Sequence, residues 1–116
     1  MTGTILLVED EEDLRELIRE ALLNRGYGVY AVRDGLEARE ALVSLNPCLV
    51  LADLLMPRMS GWDLVTLMKA QPALARIPVI IYTSTPDQAP AEATRVLGKP
   101  ASLAQLYAAI AELCGN

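Results

Sequence analysis

The sequence predicts an α/β fold, a doubly wound parallel sheet of five strands in the order 2-1-3-4-5. Three observations predict it. Short β-branched apolar runs alternate with stretches of helical periodicity along the chain. The runs are apolar at almost every position, as strands covered on both faces must be. Repeated strand–helix units wind right-handedly, which leaves few topologies open.

Each element has its own signal. Ile5–Val8 reads as a first buried strand, followed by Leu14, Leu17, Ile18, Ala21 and Leu22 at helical spacing. Arg25-Gly26 stops that helix, with a cation in the last turn and glycine past it. Gly28–Val32 is the second strand. Ala38, Ala41, Leu42 and Leu45 mark the second helix, which must end before Pro47. Cys48–Ala52 is the third strand, and Leu64, Leu67 and Met68 mark a helix after Ser60-Gly61. Val79–Thr83 follows Pro78 as the fourth strand. Arg95–Leu97 is a short fifth, and Leu103, Leu106, Tyr107 and Ile110 mark a closing helix.

Composition narrows the classes. A chain of 116 residues with 53% hydrophobic and 22% charged residues suits one globular domain over 1–116 and excludes disorder. No apolar run approaches membrane-spanning length, and the amino terminus lacks a signal peptide's basic start, so a cytoplasmic location is expected. The formal net charge of −5 argues against direct binding of nucleic acid and suits a cation or a basic protein surface. There is no histidine, which removes hydrolytic triads and imidazole zinc sites; any phosphohistidine must come from another protein. Cys48 and Cys114 match no metal or redox spacing and are expected to be small buried or half-buried filler, reduced in the cytosol.

In such sheets ligands sit at the carboxyl ends of the strands, near the switch in strand order. Glu9 and Asp10 follow strand one, Asp53 follows strand three, Thr83 ends strand four, and Lys99-Pro100 follows strand five. Singly, each has an ordinary explanation as a helix-capping acid, a turn opener, a strand threonine or a solvated lysine. Together they put three carboxylates, a hydroxyl and an amine in one cleft. Crowded carboxylates call for a hard divalent cation with oxygen ligands, which points to Mg²⁺. With such a cation present, a carboxylate can act as nucleophile and form an acyl phosphate, with Lys99 and Thr83 placed to meet further phosphoryl oxygens.

The run Asp53-Leu54-Leu55-Met56-Pro57-Arg58-Met59-Ser60-Gly61-Trp62-Asp63-Leu64 resembles the receiver-domain signature of two-component response regulators. Glu9-Asp10, Asp53, Thr83 and Lys99-Pro100 also come in receiver order, so the resemblance covers nearly the whole chain. It implies a flavodoxin-like fold, with Asp53 as phosphoacceptor. It also implies Glu9, Asp10, Asp53 and the backbone carbonyl of Leu55 as Mg²⁺ ligands. Thr83 would be the hydroxyl that shifts toward the phosphoryl group, and Lys99 the lysine that pairs with it. Glu9 in place of aspartate adds a methylene and points to a metal contact through water. The Lys99-Pro100 bond is commonly cis in the family.

Two departures are larger. The switch aromatic three residues before the lysine is Val96 here. The segment from Thr83 to Lys99 is shorter than the resemblance leads one to expect by about a turn and a half of helix. It also holds Pro86 and Pro90, so helix four is expected to be shortened or absent, with at most one turn over Pro90–Thr94.

The implied partners are a sensor histidine kinase or histidine phosphotransfer protein and a downstream protein target, with a homodimer left open. No enzyme beyond promotion of its own phosphorylation and dephosphorylation is implied. A haloacid-dehalogenase-like phosphatase would want a second aspartate where Leu55 stands. A flavin or nucleotide binder would want a glycine- or hydroxyl-rich loop in place of Val8-Glu9-Asp10-Glu11. The alternative is a phosphorylation-independent interaction module, which the altered segment around Val96 keeps in view.

Overall fold

The computed structural model describes residues 3–114. Five parallel strands form one sheet in the order β2-β1-β3-β4-β5: β1 Thr4–Val8, β2 Gly28–Val32, β3 Leu49–Ala52, β4 Val79–Thr83 and β5 Arg95–Gly98. The helices are α1 Glu12–Asn24, α2 Gly35–Ala41, α3 Gly61–Ala70 and α4 Leu103–Cys114. The expected architecture and strand order are borne out. α2 ends earlier than its apolar pattern suggests, although turn hydrogen bonds carry on to Leu45, whose N–H donates to the Ala41 carbonyl at 2.8 Å.

Side-chain alternation along the strands divides the core in two. One face carries Leu6, Val8, Val50, Ala52, Val79 and Ile81 against α2 and α3, through Ala38, Leu64, Val65 and Met68. The other carries Ile5, Leu7, Leu49, Leu51, Ile80 and Tyr82 against α1 and α4, through Ile18, Leu22, Leu106 and Ile110. Strands β1, β3 and β4 are buried on nearly every residue, as their unbroken apolar runs require. No helix among the described residues is long and apolar enough to cross a membrane.

Between β4 and β5 the described residues contain no α-helix. A 3₁₀ turn at Pro86–Gln88 begins with proline at its first position, where a missing N–H costs nothing. Pro90 starts a single turn closed by the Ala93 N–H on its carbonyl at 3.1 Å, so the one expected turn is present but the 3₁₀ piece precedes it. Ala89 and Ala93 pack on the α2–α3 face of the core, and the Trp62 indole N–H donates to the Gln88 carbonyl at 2.8 Å. The segment is thereby fastened over α3 without being a helix.

The cysteines correct the sequence reading. Cys48 and Cys114 are half-buried as expected, but they are joined in a disulfide with Cα atoms 5.4 Å apart. Their separation of 66 residues hid the pairing, because no local spacing motif carries it. Only the parallel fold brings the entry to β3 beside the end of α4.

Candidate functional site

Register builds the site. Val8 pairs with Val32 and Ala52, Ala52 with Ile81, and Thr83 with Gly98, so all five strands end along one edge, with β4 and β5 running two residues further than β3. The backbone continues this pairing one residue outward. The Glu9 N–H donates to the Val32 carbonyl and the Asp53 N–H to the Val8 carbonyl, each at 3.1 Å. The Lys99 N–H donates to the Thr83 carbonyl at 2.7 Å. Glu9, Asp53, Thr83 and Lys99 are therefore fixed by main-chain bonds before any side chain is considered.

The Lys99 ammonium donates to Glu9 Oε1 at 3.0 Å and to Asp53 Oδ2 at 2.9 Å. Glu9 is almost fully buried, at 2% exposure, and its second oxygen accepts the Glu11 N–H at 3.0 Å. Burial raises the Glu9 carboxyl above its usual range, outweighing the hydrogen bonds from Glu11 and Lys99 that favour the charged form. For Lys99, burial alone would lower the pKa, but the hydrogen bonds to Asp53 and Glu9 win and leave it raised. The lysine is thus a fixed cation at neutral pH.

Carboxylate oxygens of Glu9, Asp10 and Asp53 all lie within 4.8 Å of one another. Three carboxylates against one ammonium leave two net negative charges, the charge that a divalent ion cancels. All the side-chain donors are oxygens, the set that Mg²⁺ takes. Asp10 is exposed at the mouth and Asp53 is half-buried, with Oδ1 accepting the Leu54 N–H. Leu55, two residues on, is 52% exposed on the rim. Thr83 is buried at the end of β4, and its hydroxyl accepts the Thr85 N–H at 3.2 Å. The Lys99-Pro100 bond is cis.

The loop after Asp53 is pinned by contacts the sequence did not announce. Gly61 opens α3 under Asp53, where a Cβ would come within 2.7 Å of the Asp53 carbonyl oxygen and 2.9 Å of the Leu54 Cα. Arg58 stands in the left-handed region at φ 69°, unusual for a residue other than glycine. Its Nε donates to Asp34 Oδ2 at 2.7 Å. Asp34 in turn caps α2, accepting the Glu37 N–H at 2.9 Å through Oδ1. One buried carboxylate thus ties the start of α2 to the loop carrying Leu55 and Met56.

The hydrogen bond from Arg58 holds Asp34 below the usual carboxylate range, against the opposing effect of burial. Arg58 is half exposed, so the ion pair itself contributes little and the cap dominates. Asp34→Ala is expected to lower stability by about 1–2 kcal/mol in urea titrations. Because the folded pKa is depressed, this penalty is complete above the ordinary aspartate value of about 3.9 and shrinks as the pH falls below it. Equal urea midpoints for the two proteins at neutral pH would refute this role.

The family model of the response regulator receiver domain matches residues 5–111. The chain is 33% identical over 116 residues to the transcriptional regulatory protein GltR of Pseudomonas aeruginosa, covering 95% of this chain and 48% of that protein. The chain spans less than half the length of the first curated relatives it matches. Among solved structures, it is similar to the receiver domain of a signal transduction histidine kinase from Syntrophus aciditrophicus. That likeness has 33% identity and a TM-score of 0.88, over 97% of this chain and 89% of the other. It is also similar to the receiver domain of a sensor histidine kinase from Pseudomonas aeruginosa PAO1. There the identity is 27% and the TM-score 0.88 over 100% of both chains, and that crystal has a magnesium ion coordinated in its active-site cleft.

Proposed function

Since the chain belongs to the response regulator receiver domain family, we propose that Asp53 is the residue through which it takes a phosphoryl group in two-component signalling. The observation that carries the reading is the Lys99 ammonium shared between Glu9 and Asp53, with Asp10 completing an oxygen cluster. The donor is a phosphohistidine on a sensor histidine kinase or phosphotransfer protein. An Asp53 oxygen attacks phosphorus, the phosphorus–nitrogen bond breaks, and the imidazole leaves with the electron pair and takes up a proton.

Glu9, Asp10, Asp53 and the Leu55 carbonyl would hold Mg²⁺. When bound, the ion offsets the negative charge on the incoming phosphoryl group and its acceptor. Lys99 keeps Asp53 aimed before transfer and pairs with a phosphoryl oxygen afterwards. Thr83 gives up its contact with Thr85 to donate a hydrogen bond to another. Asp53 sits shallow enough for a partner's imidazole to reach it, and Glu9, more deeply buried, does not.

The chain acts as a signalling module and turns over nothing but its own phosphoryl group. One receiver domain, 1–116, in the cytoplasm, with a downstream protein as target, completes the reading. The acidic pair and the lysine are all in place, which favours phosphorylation over a purely structural interaction module.

Incubation with acetyl phosphate and Mg²⁺, followed by intact mass, is expected to show one phosphate adduct. Chelation of the metal should abolish it, and so should Asp53→Asn. An adduct that survives Asp53→Asn would overturn the assignment.

A further inference from the structure

Val96, at the expected position of a switch aromatic, is 38% exposed and carries no ring. The β4–β5 segment over that face is held by Trp62 and a 3₁₀ turn, so the usual lever is absent there. One aromatic does face Lys99. The ammonium lies 5.3 Å from the centroid of the Tyr82 ring, within the range of a cation–π contact.

Tyr82 sits on β4 immediately before Thr83, so side-chain alternation sends it to the opposite side of the sheet. There it is 9% exposed and packs in the cluster that includes Leu106, Ala109 and Ile110 of α4. Its hydroxyl accepts the Ala101 N–H at 3.5 Å, in the loop between Lys99 and α4. The ring therefore touches the active-site lysine at one end and the approach to α4 at the other.

We propose that Tyr82 is a positioning residue that seats Lys99 and links it to α4, so that phosphorylation is read on the α1–α4 face of the sheet. The inference rests on the phosphoacceptor reading of Asp53. When a phosphoryl group draws the ammonium away from Glu9, the ring loses its cation and the Ala101 contact shifts with it. The change reaches the amino end of α4 through packed groups, with no rotamer swing at Val96.

Beryllofluoride with Mg²⁺, a phosphoryl mimic, gives two separate readouts. Trp62 fluorescence follows occupancy on the α3 side, and backbone amide NMR of residues 101–110 follows the α4 side. In the wild-type chain both are expected to respond. Tyr82→Leu is expected to weaken the Trp62 titration about fivefold, the loss of one partly desolvated cation–π contact, and to abolish the α4 shifts. Tyr82→Phe keeps the ring and should restore the affinity to within about twofold of wild type.

A folded Tyr82→Leu chain with wild-type affinity and wild-type α4 shifts would overturn the proposal. Should that variant not fold, the wild-type spectrum decides: shifts confined to residues 84–94 overturn it, and shifts at 101–110 support it. If wild type shows neither readout, the phosphoacceptor reading fails and takes this inference with it. A Trp62 response without an α4 response sinks the inference alone.

Discussion

Lys99→Met is expected to tighten Mg²⁺ binding about tenfold, or 1.4 kcal/mol, while slowing phosphoryl transfer to Asp53 about a hundredfold. The two effects have opposite signs because the lysine does two things. In the free protein its ammonium sits 3.0 Å from Glu9 and 2.9 Å from Asp53, competing with any cation for the same oxygens. Removing it leaves three carboxylates facing the metal without a rival charge. On the proposed reading, transfer would also lose a preorganised cation beside the phosphoryl oxygens, and such groups are worth about two decades in rate. Methionine keeps the apolar stem, so packing is largely preserved.

Without metal the variant should also be less stable, by about 1–3 kcal/mol, since the buried Glu9 carboxylate loses a hydrogen-bonding cation. Calorimetric Mg²⁺ titration and the rate of acetyl phosphate labelling check the two effects. Weaker Mg²⁺ binding would show that the lysine helps to build the metal site rather than competing with it.

Reduction of the Cys48–Cys114 bond is expected to lower stability by about 2–4 kcal/mol and the thermal midpoint by roughly 10 °C. The bond closes a loop of 66 residues, and long loops restrict the unfolded chain most. It ties the entry to β3 to the last turn of α4, and nearer the start of that helix Arg25, just past α1, lies over the Tyr107 ring at 4.1 Å. These contacts lie away from Glu9 and Asp53, so Mg²⁺ binding should be the same with and without reductant. The chain has two cysteines, so Cys48→Ala/Cys114→Ala removes every thiol. That variant should match the reduced protein and ignore the reductant. Identical melting curves of the wild type with and without reductant would disprove the effect.

The sheet was legible because its signal is local. Val79–Tyr82 is an unbroken apolar run, and β4 is buried at all five positions. Glu9, Asp53, Thr83 and Lys99 could be picked out because a doubly wound topology says which edge to inspect. What escaped depends on contacts distant in sequence. Asp34 and Arg58 are 24 residues apart and meet only when α2 starts beside the loop after β3. The positive φ of Arg58 has no compositional signal, since glycine or asparagine is the residue that announces it. Tyr82 read as an ordinary strand residue because its link to Lys99 runs through space. The disulfide was missed for the same reason. The shortened β4–β5 segment, by contrast, could be anticipated from Pro86 and Pro90, whose ring geometry forbids a regular helix at that point.

An open sheet has two lateral edges, and each offers unpaired N–H and C=O groups to any passing strand. Among the described residues no α-helix lies between β4 and β5 to help shield the β5 edge. The strand is only four residues long and begins with Arg95, whose guanidinium reaches Glu112 of α4 at 2.6 Å and the Thr94 carbonyl at 3.0 Å. Just upstream, Thr94 bonds Val79 of β4 twice, donating its backbone N–H at 2.8 Å and accepting through its hydroxyl at 3.0 Å, which anchors the start of β5 to its inner neighbour. Brevity and a charged side chain thus guard against strand-to-strand self-association, and the described residues can do without an α-helix between β4 and β5 while their border remains a poor template for aggregation.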